Sequence, residues 1–357
     1  MRRILLMGLA LYMLPCSLIA KESGEDTRAV STGLSQLFQE DQPLMMRLEA
    51  PFKKVFKKRD KDRPYFPASL TYKDSGGNDV RVEFELRVRG NFRAKKENCR
   101  FPPLKLNFKK KSLKGTIFDG ENELKLVTHC KSASKYEQYV LLENMAYQLH
   151  NQYTDFSLRQ RLATVEYVES GKEKPIATKV GFFIEDKKRM AARNGAKLLK
   201  KKRIEKTEYK QEHLHLATVF EYLLGNTDYS VILGPKGENC CHNIIPLQAS
   251  DGMLVPVPYD FDVSGFVNPP YTSPPEHLGL RSLRQRLYRG YCQNTEGFKN
   301  SFAVFLEQKD AVYALLNASG AMKDKTRQSA SRYLDQFYEA ITEDKKINSE
   351  FIEKCRS

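Results

Sequence analysis

Four oxygen-bearing side chains, Asp228, Asn243, Asp260 and Asp262, fall between Gly225 and Gly265. Their neighbours are apolar and strand-forming: Val231, Ile232 and Leu233, then Ile244 and Ile245, then Leu254, Val255 and Val257. Carboxylates and an amide at the ends of a hairpin are hard oxygen donors of the kind a divalent cation takes. Asp260 and Asp262 flank Phe261, and on a strand a spacing of two turns both carboxylates to one face, where they repel unless a cation or base lies between them. Asp228 lies in Asn-Thr-Asp, which is also ordinary turn chemistry. His242, next to Asn243, reads as a surface or packing residue, because none of the six histidines has ligand spacing.

The elements that must position these residues come from periodicity. Val80–Gly90 alternates apolar and charged residues as a half-buried strand does, and a turn signal at Ser75–Asn78 precedes it. LMMRLEAPF, YFPASLTYKD, Pro102–Phe108, Glu123–Cys130, RLATVEYV and ATKVGFFIED read as further strands. Between them, Tyr136–Tyr153 sets Tyr139, Leu142, Ala146 and Leu149 on one side, the spacing of a helix with a buried face. A second helix, His213–Leu224, delivers the chain into GNTD. SLRQRLYRG, FAVFLEQKDAVYALLNA and QSASRYLDQFYEAITE read as C-terminal helices. The spacing predicts a leader at 1–20, a mobile polar segment at 21–42, a β-rich lobe at 43–186, a basic linker at 187–210 and an α-rich lobe at 211–357.

The chain has 357 residues, a formal net charge of +15 and 41% hydrophobic residues, a composition able to bury a large core. Arg2 and Arg3 followed by an apolar run to Leu14 and small residues to Ala20 match a secretory signal peptide. Its removal lowers the charge by two, and no later apolar run is long enough to span a bilayer. The expectation is an exported protein, periplasmic or secreted. Six cysteines remain beyond Cys16, an even number that suggests disulfides. Cys99 could pair with Cys130, and one of Cys240 or Cys241 could reach Cys292.

The order of RGNFR (Arg89–Arg93), LLENMAYQL, GFFIED, GNTDYS with HNII, and YDFD resembles the CotH-like family of atypical secreted kinases. That resemblance implies an α+β, two-lobed protein kinase-like fold, with a β-rich N-lobe holding one long helix and an α-rich C-lobe. It implies transfer of the ATP γ-phosphoryl group to a hydroxyl of a protein substrate, with Mg²⁺ or Mn²⁺. Asp228 would accept the hydroxyl proton, and Asn243, Asp260 and Asp262 would hold the metal. Lys125 or Lys105 would contact phosphate, paired with Glu143 or Glu137 on the helix. Arg89 and Arg93 would lie over the nucleotide, and Glu185 would lead into the hinge beside the base. The chain departs from ordinary kinases in having no GxGxxG, HRD or APE motif.

Positive charge favours an acidic partner. Nucleic acid is disfavoured, because the aromatic residues are not interleaved with the lysine runs. Without GxSxG a serine hydrolase is disfavoured too. The alternative to an enzyme is a catalytically inactive kinase-like binding or structural module of the cell envelope.

Overall fold

Asp79–Val88 buries Val82, Phe84, Leu86 and Val88 on one face and turns Arg81, Glu83, Glu85 and Arg87 to the other. The inward faces of six more strands meet it in one core. The computed structural model describes residues 33–59 and 62–357; the leader and most of the polar segment after it lie outside the described residues.

The strands are β1 (Leu44–Ala50), β2 (Phe66–Lys73), β3 (Asp79–Val88), β4 (Leu104–Phe108), β5 (Glu123–Val127), β6 (Gln160–Glu169) and β7 (Ala177–Ile184). They form a closed barrel in the order β1-β2-β3-β4-β5-β7-β6. All neighbours are antiparallel except β1 and β6, which run parallel from Leu44 beside Ala163 to Ala50 beside Glu169. Leu48, Leu70, Leu86, Leu106, Leu126 and Val165 fill the interior. A short helix, α1 (Phe52–Lys57), follows β1.

Helix α2 (Lys135–Tyr153) lies on the barrel wall. Beyond β7 come α3 (Lys187–Arg193), β8 (Lys197–Leu198) and α4 (Gln211–Leu224). A hairpin, β9 (Ile244–Gln248) with β10 (Leu254–Pro258), takes β8 as its third strand. Helices α5 (Thr295–Glu307), α6 (Lys309–Ala318) and α7 (Asp324–Thr342) follow, then a short α8 (Asp344–Lys346) and a π-helical turn, Ile347–Ile352.

This architecture corrects the two-lobed, protein kinase-like expectation. The strands close on themselves, and one hydrophobic cluster runs from Val127 and Ile184 on the barrel wall, through Leu141 and Tyr147 of α2, to Phe337 and Phe351. Gly33–Ser357 is accordingly one compact unit. The physical reason is the parallel β1–β6 pairing: with no open sheet edge, the helices cover the barrel's wall and share its outer apolar residues. The basic stretch expected as a linker contributes α3, with Met190 and Ala191 buried, and β8.

Disulfides join Cys99 to Cys130, as expected, and Cys292 to Cys355. Cys240 and Cys241 bond to each other, so neither reaches Cys292. That residue pairs instead with the C-terminal segment, where its N–H donates to the Arg356 carbonyl at 3.0 Å. No helix among the described residues is long and apolar enough to cross a membrane.

Candidate functional site

The segment holding the four oxygen donors is closed at its base. Helix α4 ends on Gly225 at φ +62°. The Gly265 N–H donates to the Gly225 carbonyl at 3.2 Å, and the Phe266 N–H to that of Leu224 at 2.8 Å. A Cβ on Gly225 would lie 2.0 Å from the Tyr333 hydroxyl, and one on Gly265 only 2.3 Å from the Leu283 carbonyl. Only glycine permits this approach. Residues 282–290, expected as a helix, are irregular and lie across the base. Arg284 donates to the Gly265 carbonyl, Arg286 to those of Tyr222, Leu223 and Tyr333, and Arg289 to those of Thr227 and Tyr229. Arg286 thus caps carbonyls in the last turn of α4, and Arg284 and Arg289 serve the segments that follow it.

Just inside this base, the Asp228 N–H is held by the Asn226 side chain at 3.0 Å. The Asp228 carboxylate meets His242 Nε2 at 2.9 Å and Asn243 Nδ2 at 3.2 Å. Nδ2 of Asn243 also donates to the Asp228 carbonyl at 2.6 Å, which leaves Oδ1 as the acceptor of that side chain. The hydrogen bond from His242 holds the Asp228 carboxyl below its ordinary range, and the same bond raises the His242 imidazole.

Asp260 is the electrostatic centre. Its backbone is left-handed at φ +66°, as is that of Asn243 at φ +51°, a conformation uncommon outside glycine. The Tyr259 N–H donates to the Asn243 carbonyl at 3.1 Å, and the Asp260 N–H to Tyr147 Oη of α2 at 3.0 Å. The Asp260 charge acts on Arg93, Lys125, Glu143, Tyr147, His242, Tyr259 and Asp262. His242 therefore feels both Asp228 and Asp260.

Opposite lie cations from the barrel. Lys125 on β5 points outward, 5.3 Å from the Tyr259 ring centre, and burial followed by the nearby Arg89 pulls its ammonium down to about 8. Arg93 is buried, donates to Glu143 at 3.1 Å and to the Thr128 carbonyl at 2.6 Å, and lies 3.6 Å from Asp262. Burial opposes its charge, but Tyr271, Glu143, Asp262 and Asp260 hold it firmly protonated. Glu143 is pushed up to about 7 by burial, against the pull of Arg93, and Asp262 is raised by burial, Asp260 and Glu143.

Glu143, one of the two helix glutamates expected to pair with the phosphate lysine, is bonded to Arg93. Glu137 meets Lys179 at 2.8 Å instead. Two expected residues stand apart from these contacts: Lys105 is paired with Glu123 at 2.7 Å, and Glu185 is enclosed by Arg193 at 2.9 Å and the Arg159 N–H at 3.0 Å. His242, Tyr147 and the arginine series 284, 286 and 289 are the residues that sequence reasoning missed; the one available signal was the place of His242 beside Asn243.

Among the described residues no group of three or more His, Cys, Asp or Glu side chains forms a ready metal cage. By type, the two carboxylates and the amide are donors that a magnesium-like ion takes, such an ion completing its shell with water and substrate phosphates. Crowded carboxyls at Glu143 and Asp262, with raised proton affinity and one shared arginine, are what an added cation would relieve. No protein-family model, curated protein or solved structure matches the chain.

Proposed function

We propose that this protein is an exported phosphotransferase that moves the γ-phosphoryl group of ATP to a hydroxyl of a protein substrate, with Mg²⁺ or Mn²⁺. The observation that carries the reading is what flanks Asp260: Lys125 over the Tyr259 ring at 5.3 Å, Arg93 at 3.6 Å from Asp262, and Asp228 bonded to His242 and to Asn243, whose carbonyl holds the Tyr259 N–H. Phosphoryl transfer is chiefly a matter of positioning and of neutralising phosphate oxygens, so it asks for such an arrangement on any scaffold. The resemblance to the CotH-like family points to the same chemistry.

Asn243 through Oδ1, with Asp260 and Asp262, would hold the cation, which when bound neutralises phosphate charge. Lys125, Arg89 and Arg93 bind and orient the phosphates. Asp228 aligns the acceptor hydroxyl. Its carboxyl is a weak base, and the hydrogen-bonded His242 provides a second place for the proton. The leader-like N-terminus and the three disulfides favour an oxidising compartment.

A binding module without catalysis is favoured by one observation, the placing of Arg93 against Asp262, where it neutralises a proposed ligand. Labelled ATP separates the two readings. Incorporation into wild type or an added protein, dependent on Mg²⁺ or Mn²⁺ and lost in Asp228→Ala and Asp260→Ala, is the expected result. Equal incorporation by all three, or none by wild type together with no thermal shift on adding ATP and metal, overturns the enzyme reading.

A further inference from the structure

Beside the site runs a line of cations. Lys53, Lys57, Lys95 and Lys96 line a hollow of about 700 Å³, and Lys96 continues with Arg100 and Lys131 into a second of about 590 Å³. Glu97 is the one acidic residue lining either. None of these six cations forms an ion pair with a carboxylate among the described residues, whereas Lys73, Lys105, Lys179, Lys201, Lys210 and Lys346 do. At the start of α2 the line passes Lys135 into a third hollow of about 300 Å³, lined also by Arg284, Lys323 and Lys325 and by no acid.

The line touches the site through aromatic rings. Tyr136, in the wall of the second hollow, stacks on Tyr271 with ring centres 6.4 Å apart, and the Tyr271 hydroxyl lies in the field of Arg93, Asp262 and Glu143.

We infer that this basic track is the docking surface for an extended acidic segment of a polypeptide, the substrate of the neighbouring site. The role as substrate, though not the binding, rests on the phosphotransferase reading. Two hollows that share Lys96 and Glu97, with a third lined by Lys135 next to Tyr136, suit a thin, flexible chain whose carboxylates enter from above, and a flat bilayer cannot follow them. Single-stranded nucleic acid needs free aromatic faces. Here Phe56 packs on Phe52 and Phe101, Tyr136 on Tyr139 and Tyr271, and Lys131 and Lys135 lie over the Tyr136 ring. Lysines on flexible stems respond to charge density rather than to the shape of a single oxyanion, which fits an acidic run more than one phosphate group.

The test is the anisotropy of a fluorescent glutamate-rich peptide titrated with the full chain, without ATP or metal. Lys53→Glu, Lys96→Glu and Lys131→Glu combined should weaken binding by about tenfold or more, since three attractions become repulsions. A control of equal charge change at Lys236, Lys345 and Lys354 should weaken it by no more than about twofold. Asp228→Ala should bind the peptide like wild type, so loss of transfer and loss of docking are read separately. Equal weakening by both charge-reversed variants, or none by the track variant, overturns the proposal. So does tighter, track-dependent binding of phosphatidylglycerol vesicles or of a single-stranded oligonucleotide than of the peptide.

Discussion

Two buried arginine–glutamate pairs, Arg193 with Glu185 and Arg93 with Glu143, have the same composition and opposite states of completion. In the first, Nε and Nη2 of Arg193 reach the two Glu185 oxygens at 2.9 and 3.1 Å, Nη1 donates to the Asp155 carbonyl at 2.8 Å, and the Arg159 N–H adds 3.0 Å to the same carboxylate. Nothing there remains to be bound. In the second, one bond of 3.1 Å joins the partners, Arg93 Nε has no acceptor, and Asp262 draws on the same guanidinium from 3.6 Å. Breaking a buried pair is costly because it strands a charge. A filled pair is therefore structural, and one cation shared by several carboxyls leaves room for a ligand to complete it.

The sharpest way to break this comparison is Arg193→Ala. Stranding Glu185 should cost about 3–5 kcal/mol in urea unfolding while leaving phosphoryl transfer per folded molecule unchanged. A loss under about 1 kcal/mol would erase the distinction. Arg93→Ala should cost less, about 1–3 kcal/mol, because Glu143 and Asp262 already hold protons strongly. It should, however, abolish the thermal shift given by ATP with magnesium.

The third test uses pH. Glu143 is raised from 4.5 to about 7 in the folded protein. Its contribution to stability is then complete below about 4.5 and is lost as pH rises through about 7. Glu143→Gln, which cannot ionise, should gain about 2–3 kcal/mol on wild type between pH 5 and pH 8 in chemical denaturation. A constant difference would show that Glu143 is as fully compensated as Glu185. The smallest effect is expected at Lys105→Ala, which removes a half-exposed pair with Glu123: under about 1 kcal/mol, with transfer intact.

Much of the barrel was legible because period two is a local property. Val80–Gly90 and Glu123–Cys130 fall on β3 and β5, and Tyr136–Tyr153 on α2, whose apolar spacing needs no partner to be seen. Closure was not legible, because the parallel pairing of Leu44–Ala50 with Ala163–Glu169 joins segments more than 100 residues apart and leaves no mark in either. The same distance hid the site's partner choice. Lys105 and Lys125 are alike in sequence and lie side by side in register, and the difference between them comes from Glu123 beside one and Tyr259 beside the other. SLRQRLYRG has helical composition, but Arg284, Arg286 and Arg289 serve carbonyls of other segments, and those bonds draw the chain out of a helix. Asp228, Asn243, Asp260 and Asp262 were visible as types; that Asp228 would be engaged by His242 depended on a loop geometry that no spacing states.

The closed base at Gly225 and Gly265 also bears on engineering. Since these residues already meet, with Arg284 on the Gly265 carbonyl and Tyr333 packed against both, the span between them is closed at its base. The tight turn at its far end, where the Ala249 N–H meets the Met253 carbonyl at 2.9 Å, is a natural insertion point. Each doubling of a flexible loop costs only about 0.6 kcal/mol of closure entropy. A reporter peptide or affinity handle placed between Ser250 and Gly252 would therefore ride on the outer end of the hairpin, with Asp228 and Asp260 held at the pinned end.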